Sequence, residues 1–154
     1  EPHRVEKLIL MAPGGVEERE TYFEMIGIQR MVELYNAGPL DIEHMRRIMS
    51  LQLFDSSQLD DKLLAERVAV AAHQPRNLFS TMMVPNMTQQ LEAIQAPILG
   101  FWGTDDNFNP ASGALKVLQH APNARFTLLN RCGHWVQVEH RELFNKTCLA
   151  FLNE

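Results

Sequence analysis

The amino-acid sequence predicts an α/β fold built on a parallel sheet. Apolar runs at residues 5–12 and 96–103 are short and flanked by glycine or proline, which favours buried strands over helices. A third strand is predicted at residues 125–129 (RFTLL). Amphipathic helical stretches separate the three strands, and strands connected through helices pair in parallel because each connection crosses a face of the sheet.

A block of helices is predicted between the first two strands. These helices share apolar residues at helical spacing, and Asp41 and Ser57 are placed to begin two of them. Their predicted ranges are 18–37, 41–53, 57–73 and 76–83. Such a block implies an insertion over one end of the sheet, where it would form a lid above a ligand site.

Beyond residue 86, helices and strands alternate. The predicted helices in this part share one apolar face each, and they cover residues 88–94, 112–120 and 140–152. We therefore expect a core strand and loop at 1–15, a helical cap at 16–86 and a C-terminal core at 87–154, which carries the loops with the candidate acid and histidine.

The three predicted strands leave a buried parallel sheet with an open flank. The first residues, Glu1-Pro2-His3-Arg4, include no start methionine and run almost directly into the first strand. These two features predict a longer parent chain whose upstream strands complete the sheet.

Composition excludes several classes of protein. The 14 Lys and Arg residues are scattered among 19 Asp and Glu residues, so no basic stripe is available for nucleic acid. The apolar runs are far shorter than the roughly 20 residues of a membrane span. Two cysteines without CxxC spacing indicate no disulfide scaffold, metal knuckle or redox pair, and we expect a reduced, cytoplasmic protein.

Two loops carry the residues best suited to chemistry. Asp105 and Asp106 follow the second strand, and His134 follows the third, so all three belong to the sheet edge where ligands bind. A carboxylate that accepts a hydrogen bond from Nδ1 of a histidine prepares Nε2 to take a proton from a nucleophile. Asp106 and His134 are the predicted acid and base, in the order acid then histidine that α/β-hydrolases use.

Other interpretations of these loops remain open. Asp106 could cap the helix that follows, with Asp105 as the acid. A metal site at His134, Glu139 and His140 lacks the same-face HExxH spacing, so we predict no metal there. The sequence contains no G-x-S-x-G motif, and its serines lie in or beside predicted helices.

The motifs resemble one family in particular. The run Leu8 to Gly15 (LILMAPGG), the loop Gly103 to Pro110 and above all the stretch Cys132 to His140 (CGHWVQVEH) are similar to the C-terminal half of meta-cleavage product hydrolases, which belong to the α/β-hydrolase superfamily. The resemblance implies a serine-dependent hydrolase that cleaves a C–C bond in 2-hydroxy-6-oxo-hexa-2,4-dienoate-type products of aromatic ring fission. It also implies that the N-terminal half of the same enzyme supplies the serine, and that the enzyme is a homo-oligomer. That no organic cofactor is needed is an expectation from the same resemblance.

The resemblance extends to the substrate site. Arg67, in Leu-Leu-Ala-Glu-Arg, and Trp135 match the residues that hold the dienoate carboxylate, and Phe108 would line the apolar pocket. A guanidinium suits a carboxylate because it can donate two parallel hydrogen bonds. The alternatives are an ion-paired or solvated Arg67 and a Trp135 that only packs in the core.

Two rival functions remain. An esterase of the same fold is favoured if no cationic carboxylate site is present near Arg67. The other hypothesis is a truncated, non-catalytic module that binds a partner through its open sheet edge.

Overall fold

A three-stranded parallel sheet organises the structure, a computed structural model that describes residues 2–75 and 84–154. The strands are β1 (Leu8–Met11), β2 (Ile98–Gly103) and β3 (Ala124–Leu129), arranged in the order β1-β2-β3. Leu8 pairs with Ile98, and Ile98 pairs with Ala124. The three predicted strands are therefore confirmed, although the first is shorter than the predicted range of 5–12.

The central strand β2 is buried along its whole length. Its side chains alternate between two cores: Ile98 and Trp102 belong to one, and Leu99 and Phe101 to the other. Gly103 ends the strand, and a Cβ there would overlap the carbonyl oxygens of Cys132 and Gly133. The missing side chain lets the loop after β3 cross the end of β2.

One helix covers each face of the sheet. Helix α5 (Ser112–His120) packs Val117 against Trp102 on one face. Helix α7 (Arg141–Leu152) packs Phe151 against Phe101 on the other, after the short helix α6 (Val136–Glu139). Burying side chains of this size stabilises the fold by about 1.5–3 kcal/mol each. Both packing helices were predicted, whereas α6 as a separate element was not.

The segment between β1 and β2 is largely helical. Its described helices are α1 (Arg19–Glu24), α2 (Ile26–Asn36), α3 (Ile42–Ser50) and α4 (Asp61–Ala71), and 3-10 helices lie at Ser56–Gln58 and Thr88–Ala93. We call residues 16–75 the helical insert. The helix predicted at 76–83 lies outside the described residues. No described helix is long and apolar enough to cross a membrane.

Capping and tertiary contacts set the helix boundaries in the insert. Asp41 accepts a hydrogen bond from the His44 amide at 2.8 Å, and Asp60 accepts one from the Leu63 amide at 2.7 Å, so both begin helices. The predicted start at Ser57 was wrong, because Ser57 lies in a separate 3-10 helix and Asp60 caps α4. The single helix predicted at 18–37 was wrong, because Met25 adopts an extended conformation (φ −68°, ψ 125°). The break turns α2 so that the Gly27 amide donates to the carbonyl of Asn107 at 2.8 Å.

A third core joins the insert to the loop after β3. It contains the buried side chains of Met45, Met49 and Leu64, with Trp135 and Val138 packed against them. Met45 and Met49 therefore pack the insert against the loop after β3.

The sheet edge leads to a prediction about stability. In the described structure, β1 pairs with β2 along one side, and its Met11 is 40% exposed. A parallel sheet is normally covered at its edges and faces, so we expect the isolated 154-residue chain to unfold without a cooperative transition. Scanning calorimetry of the isolated chain checks this. A sharp, reversible melt with matching calorimetric and van't Hoff enthalpies would show that the chain is stable without further strands.

Candidate active site

The acid and base predicted from sequence meet at one edge of the sheet. Asp106 lies in the loop after β2 and His134 in the loop after β3, and parallel neighbours place these loops side by side. His134 Nδ1 and Asp106 Oδ2 are 2.8 Å apart. The structure therefore brings together two residues separated by 28 positions, at hydrogen-bonding distance.

The local fold fixes the orientation of the Asp106 carboxylate. Oδ1 accepts hydrogen bonds from the amides of Phe108 (2.7 Å) and Asn109 (3.0 Å), as in a turn closed by its own aspartate. The Asp106 side chain is 0% exposed. Since Oδ1 is committed to the turn, Oδ2 remains for the imidazole. Asp106 does not cap α5, which begins at Ser112 after Ala111 and has no side-chain cap.

The hydrogen bond to Asp106 determines how His134 can act. An ionised carboxylate only accepts, so Nδ1 must donate, and in the neutral ring Nε2 then carries the lone pair. The His134 side chain is 24% exposed, which leaves it reachable from outside the core. The Phe108 ring lies 5.5 Å from the imidazole, centroid to centroid. The arrangement suits a general base whose acceptor atom is Nε2.

Asp105, the alternative acid, has different partners. Its Oδ2 accepts hydrogen bonds from the Thr104 hydroxyl (3.0 Å) and the Cys132 amide (3.4 Å), while its own amide donates to the Cys132 carbonyl (3.0 Å). Asp105 therefore connects the loops after β2 and β3. Of the two aspartates, Asp106 contacts the imidazole.

Two residues not singled out from sequence hold these loops in place. Asn109 donates from Nδ2 to the Ala12 carbonyl at 2.6 Å, and its own carbonyl accepts from Trp102 Nε1 at 2.9 Å. Gln52 accepts at its carbonyl oxygen from the amide of His134 at 2.7 Å and from that of Trp135 at 3.3 Å. Position in the acid loop could have drawn attention to Asn109. Gln52 acts through its main chain and leaves no side-chain signal.

The structure also brings together the two predicted carboxylate-binding residues. The Arg67 guanidinium, on α4, lies over the Trp135 ring with 5.2 Å between Cζ and the ring centroid. Arg67 is exposed, and Trp135 is partly buried against the third core. Packing and a ligand contact are thus compatible for Trp135. Phe108 is 4% exposed and forms a wall beside His134.

Two of the described serines bond to groups other than His134, and the described residues include no cluster of metal ligands. No group of three or more His, Cys, Asp or Glu side chains among those residues is arranged to hold a metal ion. The hydrogen bonds of Ser50 and Ser112 go to the Arg46 carbonyl and to Glu17, away from His134. Ser80 lies outside the described residues.

Comparison with known proteins identifies relatives of this chain. No family model matches the chain. A 2-hydroxy-6-oxononadienedioate/2-hydroxy-6-oxononatrienedioate hydrolase of Comamonas testosteroni is 36% identical over 160 residues, which cover 98% of this chain and 55% of that protein. A 2-hydroxy-6-oxo-6-phenylhexa-2,4-dienoate hydrolase of Burkholderia cepacia has the same identity and coverage. The homologues of this chain are meta-cleavage product hydrolases.

Solved structures agree on the fold. A meta-cleavage product hydrolase from Pseudomonas fluorescens IP01 superposes with a TM-score of 0.76 at 25% identity, over 97% of this chain and 56% of that one. A 2-hydroxy-6-oxo-6-phenylhexa-2,4-dienoate hydrolase from Rhodococcus sp. strain RHA1 gives a TM-score of 0.79 at 21% identity, over 99% of this chain and 57% of that one. At this identity the match supports the fold alone. The chain spans about half the length of the relatives it matches and corresponds to the C-terminal half of an α/β-hydrolase.

Cys132 is a buried neighbour of the site. Its side chain is 0% exposed, and its Sγ lies 3.6 Å from the Gly133 carbonyl. Burial, followed by the negative charge of Glu139, raises the pKa of the thiol from 9.0 to about 12. A thiol in this state is a poor nucleophile at neutral pH, because the thiolate is the reactive form.

This thiol should resist labelling in the folded protein. In the chain reassembled with a cysteine-free N-terminal half, we expect a Cys148→Ser variant, which leaves Cys132 as the one cysteine, to react with a maleimide at pH 8 at least about 100-fold more slowly when folded than in urea, since a raised pKa depletes the thiolate. Equal rates for folded and unfolded protein at pH 8 would contradict this account of Cys132.

Proposed function

We propose that this chain supplies the acid and base of a serine hydrolase that cleaves a C–C bond in 2-hydroxy-6-oxo-hexa-2,4-dienoate-type ring-fission products. The observation that carries the proposal is the 2.8 Å contact between His134 Nδ1 and the fully buried Asp106 carboxylate at the sheet edge. The names of the homologues supply the substrate class. We further propose that the serine is contributed by the N-terminal half of the same enzyme, so the chain alone is inactive.

In this proposal His134 has two tasks that use the same atom. Nε2 first assists ketonisation of the dienol, which converts the substrate into a vinylogous 1,5-diketone. It then serves the serine system, which, with its oxyanion hole, promotes attack on the ketone and C–C cleavage. Asp106 keeps Nδ1 as the donor and stabilises the imidazolium each time Nε2 takes up a proton. No metal or organic cofactor is needed for these steps.

The helical insert completes the site in this reading. Arg67 and Trp135 lie together, on α4 and immediately after His134, so a carboxylate bound by the guanidinium would be held near the base. Phe108 offers an apolar surface beside the imidazole for the rest of the substrate. The insert would act as the lid over the carboxyl ends of the strands.

Reconstitution tests the acid and base. The chain is mixed with an N-terminal half that carries a serine elbow, and loss of the dienoate chromophore is followed by absorbance. We expect turnover in the mixture and none with either half alone. His134→Ala should abolish it, and Asp106→Asn should lower kcat by about 10,000-fold because the imidazole adopts the wrong tautomer.

Matched variants show whether these effects are specific. His120→Ala removes the imidazole at the end of α5, which contacts Glu92, and should leave kcat unchanged. Asp105→Asn removes the alternative carboxylate and should lower kcat far less than Asp106→Asn. No turnover despite demonstrated reassembly would reject C–C hydrolysis and favour an esterase or a partner-binding module. Hydrolysis of simple esters by the same mixture would separate those two.

A second variant tests the carboxylate site. Arg67→Met keeps an unbranched side chain but removes the charged donors, so we expect KM for the dienoate to rise by about 10- to 100-fold with a smaller change in kcat. Steady-state kinetics on the reconstituted protein provide both constants. Arg47→Met, at an exposed arginine of α3, is the control. An unchanged KM in Arg67→Met would place the substrate carboxylate elsewhere.

A further inference from the structure

We propose that Glu139 is a positioning residue that locks the His134 loop to the helical insert. Its Oε2 accepts a hydrogen bond from the Gly133 amide at 2.6 Å, next to His134 in the chain. Its Oε1 accepts from the amides of Phe54 (2.8 Å) and Asp55 (3.0 Å), which follow α3. One carboxylate therefore joins the peptide before the base to a segment about 80 residues earlier.

Close backbone packing supports the same junction independently. A Cβ on Gly133 would lie 2.6 Å from the Gln52 carbonyl oxygen and 2.9 Å from the Phe54 nitrogen, so the two backbones touch. The Gln52 carbonyl in turn accepts the His134 amide at 2.7 Å. The main chain at His134 is thus held on both sides: through its own amide by Gln52 and through the preceding peptide by Glu139.

The chemistry of the junction requires a carboxylate. Three backbone N–H donors point to Glu139, and an ionised carboxylate offers acceptor sites on both oxygens. A glutamine has one acceptor oxygen, so its NH₂ group would face either the Gly133 amide or the Phe54 and Asp55 amides. An alanine would leave all three donors without this partner, and bonds to a charged acceptor are about twice as strong as neutral ones.

This junction couples the insert to the base. Trp135, which contacts Arg67, also donates its amide to the Gln52 carbonyl at 3.3 Å. Segment 52–55 therefore contacts the backbone of both His134 and the adjacent carboxylate-site residue. A shift of that segment moves the imidazole relative to Asp106, which is held separately by the turn after β2. The role of Glu139 in catalysis rests on the proposed function; its role in holding the loop does not.

Two substitutions test the proposal on the chain reconstituted with the N-terminal half. We expect Glu139→Gln and Glu139→Ala to lower kcat by about 10- to 100-fold, with KM within about twofold, because a misplaced base affects the chemical step more than binding. Amide exchange at Gly133 and Phe54 should accelerate by at least about tenfold, while exchange in β2 stays unchanged. Glu142→Gln, at an exposed glutamate of α7, should alter none of these values.

The two readouts separate this proposal from the proposed function. If the unsubstituted assembly does not turn over the dienoate, the proposed function fails, and amide exchange alone decides whether Glu139 holds the loop. Unchanged exchange at Gly133 and Phe54 in Glu139→Gln would overturn the proposal, as would a kcat loss that merely follows a general rise in exchange across β2. If Glu139→Ala does not fold, Glu139→Gln decides the matter.

Discussion

The hydrogen bond between Asp106 and His134 sets the geometry of the candidate active site. It exists because β2 and β3 are parallel neighbours, so that the loops leaving both strands meet at one edge of the sheet. A buried carboxylate is costly unless its oxygens are satisfied, and here the turn takes one oxygen and the imidazole the other. The same Asp106 side chain therefore closes the turn after β2 and orients the His134 ring.

The helical insert contacts the two loops through main-chain groups. On the acid side, the Gly27 amide donates to the Asn107 carbonyl, and a Cβ at Gly27 would lie 2.6 Å from that oxygen. On the histidine side, the Gln52 carbonyl and the Glu139 carboxylate form the junction. Because backbones packed this closely cannot shift easily past one another, the insert and the two loops that carry Asp106 and His134 should move together.

Much of this arrangement could be predicted from local sequence. Strand ends, the boundaries of Ser112–His120 and the cap Asp41 follow from short-range patterns, which report the preferences of the backbone and its nearest side chains. The placement of the aspartates and His134 at two neighbouring strand ends predicted that they share one site, but it did not separate Asp106 from Asp105.

The features that sequence did not reveal depend on tertiary contacts. The break at Met25 lies where the chain turns so that α2 reaches Asn107. The helical periodicity of apolar residues across 18–37 does not reveal this break. Gln52 contributes a carbonyl oxygen, which every residue has. Glu139 was visible within the CGHWVQVEH stretch, but its three amide donors are 6 to 85 residues away in the chain.

The position of the proton on the His134 ring is the most direct test of the pairing between Asp106 and His134. Nitrogen NMR of the reconstituted protein labelled with ¹⁵N-histidine distinguishes a protonated from an unprotonated ring nitrogen. In the neutral form of the ring, we expect the proton on Nδ1 and a free Nε2, and a changed tautomer in Asp106→Asn. A proton on Nε2 of the neutral ring in the unsubstituted protein, or the same spectrum in Asp106→Asn, would contradict the assignment of Asp106 and His134 as an acid–base pair.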